Sequence, residues 1–257
     1  MNDEDRRRAV WFDDADVARA YAYRPPYAPA LYDFLLGLVP QRYGLVDLGC
    51  GPGKIAAELA PHFETVIGID PSGAMIEEAR RLHARPNTTW LHASAEDADL
   101  PPAIDLVTAG TAIHWMRHDV LFPKLAQRTA LVAIVTGDAP QDPPWQAQWR
   151  ALMTRWLSRC YGVAYDETAF QADGRSYEPW LDIAGRKQFR FTFRQSLNDF
   201  IACQHSRASW ARSRMGEDHA RQFDEDLKST LEPWSRGGPL TLDLVSELVW
   251  GAPRRTC

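Results

Sequence analysis

Val46-Asp47-Leu48-Gly49-Cys50-Gly51-Pro52-Gly53 joins a short apolar run, Gly44 to Leu48, to a stretch with helical spacing, Lys54 to Phe63. A strand that breaks into glycine and then into a helix opens a β-α-β unit. In open α/β sheets that turn lies at the C-terminal ends of the strands, where ligands bind. Glycine at 49, 51 and 53 lets the backbone turn sharply and approach a ligand with no Cβ in the way. Two phosphate-cradling versions of such a loop fail on a particular residue. A dinucleotide loop, G-x-G-x-x-G, needs glycine at 54, where lysine stands; a Walker loop needs Ser or Thr after its lysine, and Ile55 follows Lys54.

Outward from the loop the β-α rhythm continues. Thr65 to Ile69 is a second apolar strand ending at Asp70, and Ser72 suits the N-cap of a helix running to His83. Thr88–His92, Ile104–Ala109 and Leu131–Thr136 read as further strands, with a helix from Asp119 to Arg128 before the last. Strands alternating with helices at this spacing predict a parallel sheet. Ahead of it lie a polar, aromatic helical preface (Phe12, Val17, Tyr21, Tyr23), a break at Arg24-Pro25-Pro26-Tyr27, and a helix from Ala28 to Leu38.

After Gly137 the rhythm is lost. Asp138 to Pro144 is a loop, and Trp145, Trp149, Leu152 and Trp156 recur at helical spacing in a segment reaching Cys160. A short helix is expected from Glu178 to Ala184. A strand then alternates Phe189, Phe191 and Phe193 with Arg190, Thr192 and Arg194. A broken helical tract runs from Ser196 to about Leu231, Gly237-Gly238-Pro239 ends it, and Thr241 to Trp250 is a last strand.

Composition narrows the function classes. The chain has 257 residues and a formal charge of −5, which argues against a nucleic-acid grip. Cys50, Cys160, Cys203 and Cys257 are scattered, with neither zinc-ribbon nor disulfide-framework spacing. No metal site is expected. The charged N-terminus lacks a signal-peptide core, and no apolar run approaches the roughly 20 residues of a membrane span. A cytoplasmic protein with no membrane partner is the expectation, as a monomer or a homodimer.

Asp70 is the second anchor. Its two carboxylate oxygens match the two hydroxyl donors of a ribose, although Asp before Pro71-Ser72 also suits a turn or a helix cap. With the glycine loop one β-α-β unit earlier, the ligand role is favoured.

Asp47-Leu48-Gly49-Cys50-Gly51-Pro52-Gly53 with Asp70 resembles the class I S-adenosylmethionine-dependent methyltransferases. The resemblance extends over about the first 140 residues. It includes Ser94-Ala95-Glu96-Asp97 after the third strand and Ile104 to Met116. The His114-Trp115 form of that second stretch is similar to the small-molecule branch of trans-aconitate methyltransferases. Tyr21 and Arg24-Pro25-Pro26-Tyr27 resemble that branch's N-terminal cofactor cover. A Pro-Gly-Gly turn before the fifth strand is missing, replaced by Gln127-Arg128-Thr129-Ala130.

The resemblance implies a Rossmann-like, doubly wound, mostly parallel seven-stranded sheet with an antiparallel last strand and an α-helical lid. One domain would comprise a cover (1–43), a sheet core (44–137, 176–195 and 238–252) and inserted lid segments (138–175 and 196–237). S-adenosyl-L-methionine would be the cofactor. Asp47 and the backbone at Gly49 and Gly51 would hold its methionine part, Asp70 the ribose, Met75 or Ile76 the adenine face, and Ala95 and Glu96 the adenine edge. Tyr21 and Thr111 join this set, with Arg24 as the candidate for the cofactor's carboxylate.

Methyl transfer needs alignment and exclusion of water, and a base only where the acceptor must lose a proton. His114 is the candidate base, or equally a packed loop residue; Trp115 is a candidate pocket wall. In the second inserted segment Arg207 and Arg214 flank Trp210, and these three are the candidates for acceptor binding. Seven of the ten tryptophans follow residue 140, which suggests a small-molecule acceptor with an apolar body, with or without an acidic group. O-methylation of a carboxylate or hydroxyl in specialised metabolism is the leading expectation. The alternatives are C- or N-methylation and cofactor binding without transfer; Lys54 disfavours an NAD-dependent oxidoreductase.

Overall fold

The computed structural model describes residues 13–137, 139–164 and 175–254. Phe12 of the expected preface and residues 165–174 of the first inserted segment lie outside them. Seven strands form one sheet: β1 (Gly44–Leu48), β2 (Thr65–Asp70), β3 (Thr88–His92), β4 (Leu106–Gly110), β5 (Val132–Thr136), β6 (Leu181–Gln195) and β7 (Leu240–Pro253). Their order is β3-β2-β1-β4-β5-β7-β6. β1 to β5 are parallel, and β7 runs antiparallel to both its neighbours. This is the doubly wound, mostly parallel α/β sheet that the resemblance implies. Winding reverses between β1 and β4, so a crevice opens beyond their C-terminal ends.

Alternation along β1 builds both faces. Leu45 joins a core with helices α2 (Pro29–Leu38) and α3 (Lys54–Leu59), while Val46 and Leu48 join the opposite one with α5 (His118–Leu125). Helix α1 (Ala15–Tyr21) starts at Asp14, whose Oδ1 accepts from Asp16 N at 2.7 Å, and packs through Val17 and Ala18 on Met75. Helix α4 (Gly73–His83) starts at Ser72, whose Oγ accepts from Met75 N at 3.1 Å.

The helical layer expected as a lid stands on an arm of the sheet. Thr136, the end of β5, pairs with Glu247. Residues 240–246 of β7 therefore run past the ligand edge, paired with β6 as far as Gln195↔Leu240. At about 3.4 Å per residue this arm projects some 20 Å. Helices α6 (Gln146–Tyr161), α7 (Leu197–Gln204), α8 (Arg212–Met215) and α9 (Glu217–Ser235) share a third core against its Leu240, Leu242 and Leu244.

One expected element differs. Glu178 to Ala184 is not a helix: a single 3-10 turn, Glu178–Trp180, leads into β6 at Leu181. Pro179 suits a helical first turn. However, Leu181 is buried and Asp182 exposed, and Leu181 pairs with Pro253, so the sheet captures the segment. Gly185 and Gly251 lie inside β6 and β7, which makes both strands longer than the sequence pattern indicates.

Candidate functional site

A cavity of about 400 Å³ opens in the crevice between the tips of β1, β2 and β4. The glycine loop forms its floor. Gly49, Gly51 and Gly53 have φ of 59°, 53° and 90°, the left-handed region that side chains resist. Two of them need glycine for different reasons. A Cβ on Gly49 would stand 2.5 Å from the Cβ of Ala112, so close packing excludes it. A Cβ on Gly51 would meet nothing within 4 Å and would project into open space beside a lined cavity.

Asp70 ties that loop to β2. Its Oδ2 accepts from Gly51 N at 2.8 Å and its Oδ1 from Ser72 N at 2.9 Å. Each oxygen has a second lone pair for a hydroxyl donor. Burial raises the pKa of this carboxyl, and the two N–H donors pull it part of the way back. The turn role that the sequence left open is thus present too, since Asp70 accepts the N–H of Ser72, while Ser72 itself caps the helix.

Asp47 lies one residue before the tip of β1 and is almost wholly buried. Thr108 Oγ1 donates to its Oδ1 at 2.7 Å, and Ala56 N donates to its Oδ2 at 3.2 Å. Burial outweighs both bonds and pushes its pKa up to about 7. A cation brought beside it would restore the ionised form.

Thr111, just past β4, has φ 52°, strained for a β-branched residue. Its N–H donates to Val135 O at 2.8 Å, and its Oγ1 lies 3.0 Å from the Tyr27 hydroxyl. Both Thr111 and Tyr27 line the cavity.

The remaining candidates divide. Met75, Ala95, Glu96, Tyr21, Arg24 and Trp115 line the cavity. Ile76 does not; it is fully buried in the core shared with α2 and α3. Glu96 Oε1 accepts from Arg117 N at 2.5 Å, which orients its side chain. Arg24 lies 4.0 Å above the ring of Tyr21. His114 is half-buried with its ring 4.8 Å from that of Trp115, outside the cavity lining.

The lid candidates are elsewhere. Trp210 is buried and stacks on Phe223, Arg207 Nη1 donates to Gln204 Oε1 at 2.7 Å, and Arg214 lies 4.5 Å over the Tyr161 ring. Trp145 and Trp156 are likewise lid core. Asp105 lies away from the cavity lining and accepts from Tyr43 N and Gly44 N at 2.7 and 2.8 Å.

Further residues line the cavity that sequence reasoning did not single out as site candidates, among them Lys54, Tyr27 and Asp13. Lys54 follows the loop, and its Nζ donates to Pro25 O at 2.7 Å. Its departure from the dinucleotide pattern was the only local signal. Tyr27 lay within the quoted Pro-rich break. Asp13, whose Oδ1 accepts from Ala74 N at 3.3 Å, reaches the rim through tertiary contact and has no local signal. Among the described residues, no group of three or more His, Cys, Asp or Glu could hold a metal, and no helix is long and apolar enough to cross a membrane.

Residues 45–132 match the profile of a family described as a methyltransferase domain. The trans-aconitate 2-methyltransferase of Methylobacterium nodulans is 30% identical over 148 residues, 55% of this chain and 56% of that protein. That of Escherichia coli is 32% identical over 112 residues, 42% and 43% of the two. The matches thus span about half the length of these curated relatives or less. A solved structure of a candidate type II methyltransferase from Anaeromyxobacter dehalogenans is similar across 90% of this chain and 99% of that one, with a TM-score of 0.69 and 26% identity.

Proposed function

We propose that this chain, a class I S-adenosylmethionine-dependent methyltransferase by its sheet, its loop and the proteins it matches, transfers a methyl group to a small-molecule acceptor. Oxygen of a carboxylate is the favoured target. The observation that carries the reading is one cavity lined together by Asp47, Gly51, Asp70, Met75 and Glu96, at the strand edge where the fold binds ligands.

The donor set fits the cofactor. Asp70 has lone pairs for ribose hydroxyls, Asp47 regains its charge beside an ammonium, and Met75 offers the adenine an apolar face with Ala95 and Glu96 at its edge. Arg24 pairs with a carboxylate. When bound, S-adenosylmethionine supplies a methyl group activated by its sulfonium. The protein's own part is to align an acceptor oxygen with that methyl and to keep water out, for which Tyr21, Tyr27, Trp115 and Met116 supply the walls.

His114 lies outside the cavity lining, which favours an acceptor that is already deprotonated at neutral pH. A carboxylate meets that condition and an aliphatic hydroxyl does not. The names of the matched relatives point the same way, toward a small carboxylate. On this reading Asp47, Asp70, the loop and Tyr21 serve the cofactor, while Trp115 serves the acceptor.

Calorimetry with S-adenosylmethionine, S-adenosylhomocysteine and NAD tests the cofactor. Saturable binding of NAD alone would sink the reading. Mass spectrometry of a panel of small di- and tricarboxylates, phenols and amines then tests the acceptor. A gain of one methyl, as an ester, is expected on a carboxylate; a gain confined to amines would assign the transfer to nitrogen.

A further inference from the structure

Arg24 is held by the lid. Its Nε donates to Ser206 Oγ at 2.8 Å and its Nη2 to the Ser206 carbonyl at 3.1 Å. Arg24 lines the cofactor cavity; Ser206 does not, and lies at the C-terminal end of α7. The two are 182 residues apart in the chain.

Ser206 is itself firmly placed. It is fully buried, its Oγ donates to Cys203 O at 2.6 Å, and its N–H reaches the same carbonyl at 3.1 Å. The preceding residue, His205, is clamped on both ring nitrogens: Nδ1 by Trp210 O at 2.6 Å and Nε2 by Asp224 Oδ1 at 2.7 Å. Arg212 grips the other oxygen of Asp224. The anchor for Arg24 therefore belongs to the lid's own framework.

A guanidinium is a rigid plane of five N–H donors, so fixing one edge fixes the direction of the others. We infer that Ser206 is a positioning residue for Arg24: the lid presents the guanidinium to the cofactor's carboxylate, and cofactor capture depends on a docked lid. This rests on the proposed cofactor reading and names the part of the lid that serves it. Other lid-to-cover contacts do not pass through Arg24. Ser213 donates to Asp14, and Ala211 packs with Val17, Ala18 and Met75.

Calorimetry with two ligands tests the inference. S-adenosylhomocysteine carries the carboxylate; 5′-methylthioadenosine lacks the amino-acid part. Ser206→Ala is expected to weaken S-adenosylhomocysteine about fivefold or more, to leave 5′-methylthioadenosine within twofold, and to add nothing in an Arg24→Met background. Ser213→Ala, which loosens the lid elsewhere, is expected to show no such selectivity. Equal weakening of both ligands, an additive double variant, or the same selectivity from Ser213→Ala would overturn the positioning role. Should Ser206→Ala fail to fold, Arg24→Lys decides: it keeps the charge but cannot span both Ser206 oxygens. It is expected to lose S-adenosylhomocysteine affinity selectively, and full affinity would overturn the inference. An unaltered chain that binds neither ligand overturns the cofactor reading and this inference together, whereas normal binding with an inert Ser206→Ala overturns only the inference.

Discussion

Asp47 and Thr108 pair in register across β1 and β4, and the threonine hydroxyl donates to a carboxylate that has almost no contact with solvent. One hydroxyl and one distant backbone N–H cannot replace the hydration this carboxylate loses. Its pKa rises to about 7, against roughly 3.9 for an unfolded aspartate. Between those values the native state holds a proton that the unfolded state has released, so stability falls as pH rises from about 4 to about 7. The penalty at alkaline pH is on the order of 2–4 kcal/mol. Asp47→Asn removes the titration. Thermal melts of the ligand-free protein at pH 5 and pH 8 are expected to show a smaller loss for the variant; equal losses would show that Asp47 does not titrate in this range.

The same carboxylate predicts a ligand effect of opposite sense. A cofactor ammonium beside Asp47 stabilises the ionised form, so the melting-temperature gain from S-adenosylhomocysteine is expected to be larger at pH 7.5 than at pH 5.5. Asp47→Asn should flatten that difference. A gain independent of pH in the unaltered protein would place the ammonium elsewhere.

Asp70→Ala is expected to raise the S-adenosylhomocysteine dissociation constant about 100-fold, as the ribose loses an acceptor pair and Gly51 loses its tether. It leaves the N–H groups of Gly51 and Ser72 without their carboxylate, so the melting temperature should also fall. Calorimetry alongside melting separates the two, and unchanged affinity in a folded variant would show that Asp70 does not hold the ribose.

The two loop glycines should fail differently. Gly51→Ala costs about 1–2 kcal/mol for the left-handed backbone and then projects a methyl into the open space beside the cavity, so affinity should fall more than stability. Gly49→Ala drives a methyl against Ala112, so stability should fall more than affinity. Urea denaturation and calorimetry on both variants give the comparison; the same ratio in each would remove the distinction.

The glycine-loop side of the cavity was legible because its residues are contiguous. The loop from Asp47 to Gly53 and the aspartate at the next strand tip are encoded within two dozen residues, and their backbone needs are met by glycine. Asp13 and Lys54 were not legible, because what brings them to the cavity is the docking of the cover onto α4 and the Pro25 carbonyl. The lid tryptophans show the limit of periodicity. Trp145, Trp149 and Trp156 do share a helix face, but spacing cannot say what covers it. Here it is other lid helices and the β6–β7 arm rather than an open pocket. The Glu178 to Ala184 segment misled for a related reason: Pro179 starts a turn locally, and pairing with a strand seventy residues later decides the rest.

Trp115 and Trp210 make that difference measurable. Trp115 is half-buried and lines the cavity, so truncating it removes a wall with little core. Trp210 is buried, stacked on Phe223 with centroids 4.9 Å apart, and its carbonyl holds His205. Trp210→Ala is expected to cost about 3–5 kcal/mol of stability, the range for a large buried aromatic. Trp115→Ala should cost about 1 kcal/mol or less, yet raise the acceptor KM severalfold with S-adenosylhomocysteine affinity nearly unchanged. Because the lid also carries Ser206, Trp210→Ala should weaken the cofactor before it affects acceptor choice. Denaturant titration, calorimetry and acceptor kinetics on the two variants decide the matter. An acceptor KM that shifts for Trp210→Ala while cofactor affinity holds would return the tryptophan-rich lid to the acceptor site.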